Sequence, residues 1–171
     1  MSSSIPASPS SVATEQVKVE SQPGLSSMTD KEIVLEALMG PDGEYAAAAS
    51  YQAVLDKYGL VEPYNTIYEA ELRHIDALVR QLERLGEPVP ANPYLGTIDA
   101  PESLEIAARA WAEGEIYNVE LYDRLIQATD NEQLLRVLGN LRRASLESHL
   151  PLFELAADNG GVLSEDQMQN Y

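Results

Sequence analysis

Glu71 and His74 lie three residues apart in the stretch EAELRHIDAL, among residues that an amphipathic helix buries. Side chains at i and i+3 leave a helix on one face, so this carboxylate and this imidazole reach toward the same point. Both are ligands for iron, manganese and zinc. E-x-x-H alone is common by chance, and the neighbouring helices decide its meaning. Traced at spacings of three and four, the apolar stripe of the helix that holds the pair runs Ile67, Glu71, His74, Leu78, Leu82. A preceding stripe runs Glu44, Ala48, Tyr51, Leu55. A third runs Leu104, Ala108, Trp111, Glu115, Val119, Tyr122, and a fourth Leu138, Leu141, Ser145, His149, Leu152. Each of the four stripes therefore carries an ionisable residue, and both histidines of the chain are among them.

Burying one carboxylate or imidazolium without a partner costs an appreciable part of a domain's stability. Five such residues on four helices call for a common partner, and a metal cation is one. The candidate ligands are Glu44, Glu71, His74, Glu115 and His149. Glu113 is the competitor to Glu115, but it falls with Arg109, Glu120 and Arg124 on the outer face. Tyr51 follows Glu44 by seven residues and Tyr122 follows Glu115 by seven, two turns along the same stripes. Their phenols either support the ligands by hydrogen bonds or fill the core.

The elements that must position these residues are helices. Thr29 and Asp30 can cap a short helix over KEIVLEALMG, broken near Gly40-Pro41. Asp42 is the expected cap for EYAAAASYQAVLDKYG. Further helices are expected from about Pro63 to Leu85, from Pro101 to Ala128 with Ser103 or Asp99 as cap, and from Asn131 to Asp158. No alternating strand pattern competes, so the fold class is all-α, an antiparallel four-helix bundle over residues 29–159. Residues 86–101, GEPVPANPYLGTIDAP, are too long for a simple turn. Extended, they reach about 55 Å, whereas a 20-residue helix is about 30 Å long. This segment can cross the length of the bundle, as the single long connection of ferritin-like folds does. Residues 1–28 are Ser- and Pro-rich and aperiodic and read as a disordered tail; residues 160–171 read as a C-terminal tail.

Composition narrows the function. The 171 residues are 44% hydrophobic, with 11 basic against 28 acidic residues and a net charge of −17. That surface repels phosphate backbones and anionic lipid, so neither nucleic acid nor membrane is expected as a partner. Without cysteine there is no disulfide, thiolate zinc site or cysteine-ligated iron. There is no apolar run long enough to span a membrane and no pattern of a secretory signal. A cytoplasmic location is the expectation.

The blocks EYAAAASYQAVLDKYG, PYNTIYEAELRHIDAL, GEIYNVELYDRL and ASLESHLPLFE resemble a group of bacterial ferritin-like, rubrerythrin-related domains over about residues 30–158. The resemblance implies a four-helix bundle holding two metal ions. One helix of each pair gives a Glu, the next an E-x-x-H. It matches Glu44 and Glu115 to the single glutamates, Glu71 and His74 to the first E-x-x-H with Glu71 as the bridging carboxylate, and His149 to the second histidine. The pattern departs at Leu146, which stands where the second E-x-x-H needs its Glu. Glu147 points about 160–200° away from His149 on an α-helix. Five ligands rather than six are thus expected, with one ion or an unequal pair. The implied cofactor is iron, one or two ions, with manganese and zinc as alternatives. The implied activity is non-haem di-iron oxidase or peroxidase chemistry on dioxygen or peroxide. It would draw on an external electron donor, because the chain has no cysteine-ligated iron of its own. A non-enzymatic metal-binding bundle for buffering, sensing or stability, and a metal-free interaction module, are the alternatives. Exposed apolar helix faces leave room for a homodimer.

Overall fold

The computed structural model describes residues 28–170, so all but Met28 of the stretch read as an N-terminal tail lies outside the described residues. The fold is all-α, with no strand among the described residues. Helix α1 spans Asp30–Met39, α2 Glu44–Tyr58, α3 Tyr64–Leu85 and α4 Leu104–Ile126. A fourth long helical rod is built from α5, Glu132–Ala144, a π-helical segment, Ser145–His149, and α6, Leu150–Asp158. A last short helix, α7, spans Glu165–Met168. No described helix is long and apolar enough to cross a membrane.

Local sequence sets the boundaries. Thr29 caps α1 in a reciprocal capping box with Glu32. The expected short first helix is a full element whose Ile33, Val34, Ala37 and Leu38 are completely buried. Ser103 caps α4 through Ile106 N–H, and Asn131 caps α5. Asp42, expected as the cap of α2, is not: Gly43 holds that position, and the Asp42 carbonyl accepts from Asn118 Nδ2 on α4. The corner between α1 and α2 explains the glycine. A Cβ on Gly43 would lie 2.5 Å from the Ala37 carbonyl oxygen.

The connection after α3 crosses the bundle. Tyr45 at the start of α2 donates to the Pro90 carbonyl, and Tyr58 at its end donates to that of Pro101, so the segment runs along α2 from one end to the other. Tyr64, which opens α3, donates to the carbonyls of Leu104 and Gly161. The starts of α3 and α4 therefore lie at one end of the bundle, beside the end of α6. Residues 161–163 are anchored there too. Leu163 is buried and donates its N–H to the Glu62 carbonyl, and Gly161 packs on the backbone of Leu104.

Two apolar clusters fill the interior. One joins α1 to the C-terminal halves of α3 and α4 and to α5 through Leu38, Leu78, Tyr122 and Leu138. The other joins α2 to the first turns of α3 and α4 and to α6 through Val54, Ile67, Ala108 and Phe153. Glu71 lies between Ile67 and Leu78, and His149 between Leu141 and Leu152. The polar residues thus occupy the layer between the two clusters.

Candidate metal centre

All five candidate ligands come together. Glu44, Glu71, Glu115 and His149 are at most 3% exposed, and His74 is slightly more accessible. One ligand atom from each of Glu44, Glu71 and His74 lies within 4.8 Å of the others, and the same holds for Glu71, Glu115 and His149. Glu71 belongs to both trios. Its Oε2 is 2.9 Å from His74 Nδ1, and its Oε1 is 3.0 Å from His149 Nδ1. The two imidazoles stack with centroids 5.4 Å apart. Outside them, Glu44 Oε2 is 3.4 Å from His74 Nδ1 and Glu115 Oε1 is 3.5 Å from His149 Nδ1. Either trio could hold a metal ion, with Glu71 placed to bridge.

Hydrogen bonding leaves this layer incomplete. Among the described residues, four buried side-chain polar atoms have no partner, and three of them are Glu44 Oε2, Glu115 Oε2 and His149 Nδ1. His149 Nδ1 is near Glu71 but makes no well-directed hydrogen bond to it. Buried polar groups are nearly always paired in folded proteins, because each unpaired one forfeits its hydration. Three orphans in one buried layer, spread over the two trios and each a lone-pair donor when deprotonated, have the chemistry of a ligand set.

The charges respond to this enclosure. Burial pushes the Glu44 carboxyl up to about 8, and the neighbouring Glu71 adds to the rise. Burial also acts to raise Glu71, but its close contacts with Glu44 and with the His149 and His74 imidazoles outweigh it and hold this carboxyl well below the usual range. His74 and His149, which burial alone would lower, are raised to about 10 by Glu44 and Glu71 and by Glu115 and Glu71 respectively.

Two tyrosines brace the outer glutamates crosswise. Tyr51 on α2 donates to Glu115 Oε1 on α4 at 2.5 Å, and Tyr122 on α4 donates to Glu44 on α2. Burial, then the facing carboxylates, push both phenols well above their ordinary value, so both remain protonated donors. The seven-residue spacing had placed each tyrosine on a stripe with a glutamate of its own helix. The bond is instead to the glutamate of the other helix.

The π-helical segment sets the fourth contribution. Leu150 N–H reaches back to the Ser145 carbonyl, widening the turn that ends at His149. Ser145, four residues before His149, is buried, and Leu146 is 38% exposed. Ser145 Oγ donates to Asn118 Oδ1 at 2.6 Å. A neutral, buried Ser–Asn pair thus joins this turn to α4, while residue 146, where the resemblance calls for a glutamate, is turned outward. The pair's only trace in the sequence is the 4–4 spacing of Leu141, Ser145 and His149.

No family model matches the chain, and no curated protein matches it. Its structure is similar to the crystal structure of a hypothetical protein from Methanococcus jannaschii DSM 2661. The TM-score is 0.65 at 21% identity, and the match covers 88% of this chain and 96% of that one. At that identity the likeness is one of fold.

Proposed function

We propose that the chain is a ferritin-like metalloprotein whose centre holds two ions, iron first among them, and performs oxidase- or peroxidase-type redox chemistry. The supporting observation is the pair of trios sharing Glu71, with three unpaired ligand atoms between them. Pairing of the five residues with one another leaves those atoms unsatisfied, which disfavours a metal-free interaction module. When bound, two iron ions would supply two electrons to dioxygen or peroxide, to be restored by an external donor. Glu71 would bridge, Glu44 with His74 and Glu115 with His149 would hold the two sides, and Tyr51 and Tyr122 would orient the outer carboxylates. The apolar clusters above and below exclude bulk water.

A second reading is a non-enzymatic metal-binding bundle, favoured by the outward turn of residue 146, where the resemblance calls for a glutamate. Anaerobic loading with ferrous iron, followed by air or hydrogen peroxide, separates the two. Redox chemistry requires rapid oxidation of about two ferrous ions per chain, faster than ferrous iron alone in the same buffer. Tight binding with no acceleration leaves the non-enzymatic reading.

A further inference from the structure

A cavity of about 110 Å³ opens between α2 and α4 and runs inward to Tyr51 and Glu115. Its outer walls are small residues, Gly43, Ala46 and Ala47 on one side and Gly114 on the other, with Trp111 beside them. The larger hollows lie elsewhere, along the crossover segment and against α1, and touch none of the five candidate ligands.

Gly114 is the informative residue. It sits inside α4, where glycine costs about 1 kcal/mol relative to alanine. A Cβ there would meet nothing within 4 Å, so no neighbouring helix demands the small residue. What the missing side chain leaves is the cavity itself. Trp111 and Glu115, each carrying a buried side-chain polar atom without a hydrogen-bond partner, are among the residues that line it, and Glu115 is only 2% exposed. Pockets for drug-sized organic ligands run from about 300 Å³ upward. This one accommodates a few waters or a solute of two to four heavy atoms.

We infer that this cavity is the port of the metal centre. Gly114 and Ala47 keep it open, and they admit small polar or diatomic solutes, such as peroxide, dioxygen or azide, while excluding organic substrates. The inference rests on the proposed metal centre and names the class of molecule that reaches it. Gly114→Leu and Ala47→Leu narrow the port from opposite walls. Each variant is loaded with iron, its metal content and melting temperature are measured, and azide is mixed in while the ligand-to-metal absorption band is followed. A second readout is water-proton relaxation of the manganese(II)-loaded proteins. The expected result is unchanged metal content, with azide association slowed at least tenfold and relaxation enhancement reduced in both variants. Azide association and relaxation at wild-type levels in both variants, with metal content intact, would overturn the port and leave the metal centre standing. Wild-type protein that binds neither metal would instead overturn the reading beneath it.

Discussion

Replacing Glu71 by glutamine keeps the side chain's shape and removes the one charge common to both trios. Its two oxygens face His74 and His149 at 2.9 and 3.0 Å, so the change weakens both halves of the centre at once. An ion that binds only the folded chain, at a free concentration a hundredfold above its Kd, stabilises the fold by about 2.7 kcal/mol. For a domain of this size each kcal/mol moves Tm by about 2–4 °C, so one ion raises Tm by about 5–11 °C and two by about twice that. A hundredfold loss of affinity leaves RT ln 2, about 0.4 kcal/mol, and a rise of about 1–2 °C at the same metal concentration. The metal-free variant is also expected to melt lower, because the two imidazoles lose their shared counter-charge. The quantity to read is therefore the increment caused by metal, by differential scanning calorimetry with and without manganese or iron. An E71Q protein that retains the wild-type increment would refute the shared-ligand reasoning.

Metal uptake at pH 7 is expected to release about three protons, since Glu44, His74 and His149 are raised to about 8, 10 and 10 and must deprotonate to bind. The same raised values favour the metal-free fold below the unfolded values, and that advantage is lost as pH climbs through about 8 and 10. The Tm increment from metal should thus grow between pH 6 and 9, and calorimetric titration in two buffers of different ionisation enthalpy counts the protons. Leu146→Glu should leave metal stoichiometry unchanged by elemental analysis, because residue 146 faces solvent and not the centre. Gly161→Ala should lower stability by about 2–4 kcal/mol in a denaturant titration. Its φ is +96°, and a Cβ would lie 2.2 Å from the Leu104 carbonyl carbon.

The buried cluster was legible because burial and periodicity conflict there: a carboxylate or imidazole inside an apolar stripe needs a partner, and Glu44, Glu71, His74, Glu115 and His149 come together in one buried layer. The crossing segment was legible from its length and four prolines, and a cap at Thr29 or Asp30 from their side chains. Other features depend on contacts distant in sequence. Tyr51 and Glu115 are 64 residues apart, and only the packing of α2 on α4 brings the phenol to that carboxylate. The same holds for the buried Leu163, two residues beyond Gly161 in a stretch that has no helical period of its own.

Crystals of the protein soaked in manganese or grown with iron, and measured at the metal's absorption edge, test the centre most directly. Strong anomalous density on either side of the Glu71 carboxylate, within ligand distance of His74 and His149, is the predicted result. A single peak there would reduce the centre to one ion, and full-occupancy metal found only on the acidic surface, with none among these five side chains, would contradict the account.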